Sequence, residues 1–173
     1  MLRYKKTIQV VILLAVVVIS AFTLISGLFN KNGNPDIGDK APDFTLRELG
    51  GDESSLSDYM GKVVIVNFWG TYCPPCVREM PLIQSYYEQY KEKGVVVLAV
   101  NENDPLVSIK AFIRQYKLTF PILLDKDTVR KQYGVTEYPT TFILDTKGKI
   151  AYKQVGEINE SFIRGALTKL VKQ

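Results

Sequence analysis

The chain has 173 residues, 46% of them hydrophobic, which is enough apolar material for one compact domain of ordinary size. Its net charge is +4, and three of the 22 basic residues are Arg3, Lys5 and Lys6 at the N-terminus. The other 19 basic residues nearly balance the 18 acidic ones, so the net charge of the rest of the chain gives no reason to expect nucleic-acid binding. Two cysteines and no histidine exclude a structural zinc site within one chain, a Ser–His or Cys–His pair, and c-type haem attachment, which needs histidine where Val77 stands.

The N-terminal part of the chain contains a long uncharged apolar run at residues 8–29. As a helix this run spans about 33 Å, close to the ~30 Å hydrocarbon core of a bilayer, so we predict a transmembrane signal-anchor helix after a tail at residues 1–7. A cleaved signal peptide and a buried core helix are the alternatives, and Ser26 and Gly27 make a poor cleavage site. The basic residues before the run favour a cytoplasmic N-terminus. We therefore expect a single-pass protein of the bacterial cell membrane, with its domain on the extracytoplasmic side.

The rest of the chain divides into a tether at residues 30–36, which is polar and contains glycine and proline, and a domain at residues 37–173. Short apolar, β-branched runs predict buried strands at residues 63–68, 95–100, 121–124 and 140–144, followed by a turn and a hairpin partner at 149–155. Helices are expected at residues 74–92, 105–116, 127–133 and 159–171, the last with Asn159 as its N-cap. This alternation indicates an α/β fold with a mainly parallel sheet and helices on both faces.

Two cysteines separated by two prolines stand where a predicted strand ends and a predicted helix begins. Their spacing places both sulfurs on one helical turn, and the unpaired amides at the helix N-terminus favour a thiolate at Cys73. A thiolate attacks disulfides, so we expect Cys73 to be the nucleophile and the more buried Cys76 to resolve the mixed disulfide. Pro74 and Pro75 stiffen the loop and remove amide donors, which tunes the reduction potential. A chance pair, a half-site of an intermolecular metal cluster and a structural disulfide are the alternatives.

The residues around this motif resemble the thioredoxin superfamily. Residues 66–76 (VNFWGTYCPPC) resemble its active-site strand and loop, Pro81 matches a helix kink, and residues 138–141 (YPTT) resemble the segment that carries its cis-proline, here Pro139. Residues 38–44 (GDKAPDF) resemble the N-terminal hairpin of the ResA, TlpA and CcmG branch, as does a helix and strand inserted between Val100 and Asp127. The resemblance implies a thioredoxin-like fold, with a central mixed sheet flanked by helices, an N-terminal hairpin and an inserted helix–strand.

The same resemblance implies a protein-disulfide reductase that acts in cytochrome c maturation. Members of the branch reduce the haem-binding cysteines of apocytochrome c outside the membrane and are recharged by a membrane dithiol donor of the CcdA type. No cofactor or metal is implied, and we expect a monomer. The residues implied to line the substrate groove are Trp69, Tyr72, Pro74, Pro75, Tyr138 and Pro139, although a core or surface role for Tyr72 stays open.

A glutamate three residues after the second cysteine is a further feature of the branch, and Glu79 matches it. Residues i and i+3 share a helical face, so Glu79 can lie near the dithiol. A carboxylate there disfavours thiolate formation and can relay a proton. The alternative is an ordinary solvated glutamate on the helix.

Several residues depart from the family pattern and leave the function partly open. Thioredoxins proper have a buried acid where Asn67 stands, tryptophan is common at Tyr72, and ResA has glutamate at Pro74. A paralogue that acts on other envelope or spore proteins is therefore an alternative, and the direction of the redox reaction is open. A peroxiredoxin is another, because residues 41–44 (APDF) occur there too, but Val66 and Gly70 replace the Pro and Thr or Ser of its motif. A non-enzymatic binding module with a permanent disulfide is the third.

Overall fold

The computed structural model describes residues 12–20 and 33–171 of the chain, and residues 12–20 are helical. No helix within these two ranges is long and apolar enough to cross a bilayer. Most of the span predicted at residues 8–29, the tail at 1–7 and the first part of the tether lie outside the described residues. The membrane anchor therefore stays a prediction.

A seven-stranded sheet forms the centre of the part described from residue 33 onward. Its strands are β1 (Thr45–Glu48), β2 (Glu53–Ser55), β3 (Val63–Trp69), β4 (Val95–Glu102), β5 (Ile122–Asp125), β6 (Thr140–Leu144) and β7 (Ile150–Val155), in the order β2-β1-β5-β4-β3-β6-β7. Strand β4 is parallel to β3 and β5, and the other pairings are antiparallel. The mixed sheet is confirmed, whereas the mainly parallel sheet is wrong, because the short β1–β2 and β6–β7 connections can join only antiparallel strands.

The N-terminal hairpin is present, but it lies later in the chain than predicted. Its strands are β1 and β2, and the chain reverses at Gly51, whose φ of 109° suits glycine. Residues 38–44 instead run beside the β6–β7 turn, where Gly38 N donates to Ile150 O at 2.8 Å and Ala41 N donates to Gly148 O at 2.9 Å. Because Pro42 has no amide to donate, this segment cannot continue as a regular ladder, and the hairpin begins after it.

Four α-helices lie between or after these strands in the part described from residue 33 onward. They are α1 (Pro74–Tyr90, extended by a 3-10 turn at Lys91–Lys93), α2 (Leu106–Tyr116), α3 (Thr128–Gln132) and α4 (Glu160–Leu170). The predicted helices are confirmed, with small shifts at their ends. Helix α4 begins as expected, because Asn159 Oδ1 accepts a hydrogen bond from Phe162 N at 2.9 Å.

The hydrophobic core has two layers, one on each face of the sheet. Val63 and Ile65 of β3 pack with α1, α2 and α4, while the alternate residues Val64 and Val66 pack with α3 and residues 41–56. Burial on both faces explains why β3 is apolar along nearly its whole length rather than alternating. Both layers lie within residues 41–167, so the domain from residue 34 contains the core that it needs to fold by itself.

Candidate active site

Cys73 and Cys76 form a disulfide at the N-terminus of α1. Cys73 is the N-cap, and its Sγ accepts a hydrogen bond from Cys76 N at 3.3 Å. Pro74 and Pro75 occupy the first two helical positions without an N–H, so the Cys76 amide is the first in the helix that can reach the sulfur. Cys73 is 7% exposed and Cys76 is fully buried. The first cysteine is thus the one nearer to solvent.

Glu79 lies one turn further along α1, and its side chain is buried, with 1% of the residue exposed. Its Oε1 accepts a hydrogen bond from Asn67 Nδ2 and its Oε2 accepts one from Ile158 N, both at 2.8 Å. Burial raises the pKa of Glu79 to about 7, although the two hydrogen bonds oppose the rise, and Glu157 adds to it. The solvated-glutamate alternative is wrong, because this carboxyl group is enclosed.

Asn67 is the polar interruption in β3, and its side chain is fully buried on the face covered by α1. Besides the bond to Glu79, its Nδ2 donates to Thr141 Oγ1 at 2.9 Å, so one amide links β3, α1 and β6. Thioredoxins proper carry an acid on this strand, whereas here the buried carboxyl group comes from the helix. Sequence reasoning treated Asn67 only as a departure and missed Thr141 and the Ile158 amide. A polar residue within an apolar strand was the available signal.

The segment before β6 contains a cis peptide bond at the end of the sheet from which the dithiol loop departs. The Tyr138–Pro139 bond is cis, and Pro139 is buried. Because β6 pairs with β3 with Thr140 opposite Phe68, Pro139 lies beside the end of β3 from which the dithiol loop departs. Thr140 Oγ1 donates to Glu137 O at 2.7 Å, and Gly156 N donates to Pro139 O at 2.8 Å. These bonds fix the segment on both sides of the proline.

The aromatic residues of the predicted groove separate into buried and exposed members. Trp69 is fully buried, and its ring centroid lies 5.0 Å from that of Phe112 on α2. The prediction that Trp69 contacts substrate is therefore wrong for this structure, because the alternation of β3 turns its side chain into the core. Tyr72 is 62% exposed, and Pro74 is exposed. Pro75 and Tyr138 are half-buried, so these four residues can line a surface near Cys73.

Asp104 supports the dithiol loop from outside and was not found from the sequence. Its Oδ2 accepts hydrogen bonds from Thr71 N at 2.6 Å and from Asn101 Nδ2 at 2.9 Å. The loop before Cys73 is thus fastened to the end of β4. Within residues 12–20 and 33–171, no group of three or more His, Cys, Asp and Glu side chains is arranged to hold a metal ion.

A disulfide at the start of the helix after β3, beside a cis-proline segment, defines a thiol–disulfide oxidoreductase of thioredoxin fold. The AhpC/TSA family model matches residues 37–153. The chain is 38% identical to the thiol-disulfide oxidoreductase ResA of Bacillus thuringiensis subsp. konkukian over 171 residues, 98% of this chain and 99% of the relative. It is 41% identical to ResA of Geobacillus kaustophilus over 168 residues, 96% of this chain and 91% of the relative.

A solved structure supports the same class. The thioredoxin domain of a Bacteroides vulgatus thiol-disulfide oxidoreductase is 28% identical and matches 79% of this chain and 99% of that domain, with a TM-score of 0.71. The chain therefore belongs to the AhpC/TSA family and, within it, to the ResA thiol-disulfide oxidoreductases.

Proposed function

We propose that the chain is a membrane-anchored reductase that acts outside the cytoplasm on the disulfide of a specific protein, such as apocytochrome c. The observation that carries the proposal is the buried Glu79 carboxyl group on the same helix as the redox pair, with its pKa raised by burial to about 7. The identity of 38% to ResA over 98% of this chain supports the same assignment. The uncharged run at residues 8–29, with basic residues before it, supports the anchor and its orientation.

The proposed reaction begins from the reduced pair. The Cys73 thiolate attacks one sulfur of the substrate disulfide, that S–S bond breaks, and the departing substrate thiolate takes up a proton. Cys76 then gives up its proton and attacks the Cys73 sulfur, which releases the second substrate sulfur as a thiolate and forms the Cys73–Cys76 disulfide. This thiolate also takes up a proton, so two electrons pass from the enzyme dithiol to the substrate, and the two protons that the cysteines lose balance the two that the substrate gains. The structure contains the pair in its disulfide form, the state reached at the end of this reaction.

Glu79 is proposed to accept the proton that Cys76 loses. A group whose pKa lies near 7 can take up and release a proton with little free-energy change at neutral pH. An ionised Glu79 also disfavours a thiolate nearby, because like charges repel. The two prolines have no N–H, so the first helical amide that can donate to Cys73 Sγ and stabilise its thiolate is that of Cys76. A weakly stabilised thiolate makes a dithiol the better reductant, because stabilising the reduced form makes a strong oxidant. This argument supports reduction as the direction.

The proposed cycle needs an external source of electrons to restore the dithiol. A membrane dithiol donor of the CcdA type can supply them by the reverse exchange at Cys73, since Cys73 is the cysteine nearer to solvent and can serve both partners. Reduction of the enzyme disulfide oxidises the donor dithiol, so electrons balance. Tyr72, Pro74, Pro75, Tyr138 and Pro139 are proposed to contact the protein substrate.

Trapping the substrate in cells tests this proposal. The full chain with Cys76→Ser lacks the resolving thiol, so the substrate is expected to stay attached to Cys73. The matched control is Cys73→Ser, which retains one cysteine but lacks the nucleophile. Recovery of apocytochrome c as a Cys73-linked adduct supports the proposal. Equal adducts from both variants, or substrate reduction by a Cys73→Ala, Cys76→Ala domain, would contradict it.

A further inference from the structure

A network of charged and phenolic side chains lies beside the dithiol loop and takes no part in the sulfur exchange described above. It comprises Tyr72, Glu102 and Arg130, and we call it the Glu102 bracket. Tyr72 Oη donates to Glu102 Oε2 at 3.0 Å, and Arg130 Nε lies 3.0 Å from Glu102 Oε1. One carboxylate at the end of β4 therefore joins the residue before Cys73 to helix α3.

The cationic side of the bracket is held firmly in place. Arg130 Nε lies 2.7 Å from Asp127 Oδ1, and its Nη1 donates to Val135 O at 2.8 Å. The side chains of Arg130 and Glu102 are 21% and 22% exposed, so both are largely shielded from water. A shielded pair with several hydrogen bonds keeps a more defined geometry than an exposed surface pair. Glu102 is thus a fixed acceptor rather than a mobile surface acid.

The Tyr72 hydroxyl donates a hydrogen bond to Glu102, whereas the buried Tyr138 hydroxyl has no hydrogen-bond partner within the described residues. Burial and the hydrogen bond to Glu102 raise the pKa of Tyr72 to about 12. Burial, followed by the same carboxylate, also raises the pKa of Tyr138 well above its usual range. Tyr72 directly precedes Cys73, and Tyr138 directly precedes the cis-proline, so the two rings belong to the two segments that flank the redox pair.

We propose that Glu102 is a positioning residue that holds the ring of Tyr72 in place next to Cys73, so that this ring forms a preset wall for a polypeptide entering at Cys73. The inference rests on the proposed function only in taking the substrate to be a protein. Tyr72 is 62% exposed, and without the hydrogen bond its ring is free to change rotamer. A ring already fixed loses less conformational entropy when substrate binds. The bracket therefore acts on substrate capture and not on sulfur chemistry.

Exchange kinetics with the domain of residues 34–173 test the inference. The reduced domain is offered a peptide of about twenty residues containing one disulfide, and separately a small hydrophilic disulfide that has neither peptide backbone nor aromatic ring to pack on the wall. Tyr72→Phe keeps the ring but removes the hydroxyl, and Glu102→Leu removes the acceptor. Each is expected to raise the KM for the peptide and to lower the ratio of peptide to small-disulfide rate constants by about fivefold, the effect of one hydrogen bond. Glu102→Gln keeps an acceptor oxygen for Tyr72, so its ratio of peptide to small-disulfide rate constants should lie between those of Glu102→Leu and the wild type.

Further variants separate positioning from a general structural effect. Glu137→Gln removes the same charge from an exposed neighbour of Tyr138 and should leave the ratio unchanged. Combining Tyr72→Phe with Glu102→Leu should cost no more than Glu102→Leu alone, because the hydrogen bond between Tyr72 and Glu102 is already lost in that variant. Phenol titration should show the pKa of Tyr72 falling toward its ordinary value in Glu102→Leu.

Two results would overturn the inference. One is an equal loss with both disulfides, which indicates a structural role, and the other is an unchanged ratio in Tyr72→Phe and Glu102→Leu. Neither depends on the natural substrate, since the assay uses a model peptide. Failure to trap apocytochrome c in cells therefore leaves this test informative.

Discussion

Replacing Glu79 by glutamine tests the central electrostatic feature of the site. Glutamine has nearly the same shape but cannot ionise, so it removes the energetic penalty of a buried charge. Burial raises the pKa of Glu79 from 4.5 to about 7. At about 1.4 kcal/mol for each tenfold change in proton affinity, this rise destabilises the folded domain by about 3 kcal/mol once the carboxyl is ionised.

The sign of the effect follows from proton uptake. Below pH 4.5 the carboxyl is protonated in both the folded and the unfolded chain, so its full contribution is present. Between pH 4.5 and about 7 the folded chain binds more protons, and the free energy of unfolding falls as the pH rises. Glu79→Gln lacks this fall. The glutamine amide has one acceptor oxygen, so it keeps only one of the two hydrogen bonds that Glu79 accepts from Asn67 and Ile158, and this loss lowers the stability of the variant by the same amount at every pH. We therefore expect the stability of the variant relative to the wild type to rise by up to about 3 kcal/mol between acid and a pH above neutral.

Urea unfolding of the oxidised domain of residues 34–173 at several values of pH between 4 and 8 measures this difference. The disulfide keeps both cysteines from titrating, and Trp69, the single tryptophan and fully buried, reports unfolding by fluorescence. Glu92→Gln is the control, because it changes an exposed glutamate just after α1. If wild type and Glu79→Gln lose stability in parallel as the pH rises, the buried carboxyl is not the group responsible.

Three further outcomes are expected. Asn67→Ala removes a donor to the ionised form of Glu79, so in the same urea series the fall in stability should begin at the same pH but continue to a higher pH than in the wild type; an upper end that stays or moves down would contradict the role of the hydrogen bond. Asp125→Ala leaves three backbone amides at the start of α3 without their carboxylate acceptor and should lower the free energy of unfolding by about 2 kcal/mol. Asp125→Asn keeps one acceptor oxygen and should retain part of that stability. A urea midpoint that Asp125→Ala leaves unchanged would contradict this account. Since Val66 and Gly70 replace the residues of the peroxidatic motif, the reduced domain should consume hydrogen peroxide no faster than a small free dithiol, and rapid turnover would favour a peroxidase.

The strands and helices were largely predictable because their signals are local. Strand β3 is buried on both faces and therefore shows a continuous apolar run, and Asn159 caps α4 with a side chain suited to that position. The hairpin was misplaced because residues 38–44 resemble a family segment, whereas the bonding of the backbone depends on Pro42 and on partners near Ile150. The mixed character of the sheet likewise depends on how distant strands pair.

The site was predictable only where adjacent residues define it. The spacing of Cys73 and Cys76 is a local pattern, but the burial of Glu79 depends on Asn67 in β3 and on the amide of Ile158, far away in the chain. Trp69 was assigned to the substrate surface because it belongs to the motif, yet strand alternation decides which way its side chain points. Contacts between residues that are far apart in the chain are not visible in the local sequence pattern around either residue.

The absence of histidine gives the buried carboxyl group a practical value. In the oxidised form both cysteines are locked in the disulfide, so few side chains of this chain change protonation near pH 7. The carbonyl stretch of a protonated Glu79 should then stand out in an infrared difference spectrum, without isotope labelling. A spectroscopist could follow proton movement during each turnover by watching one vibration.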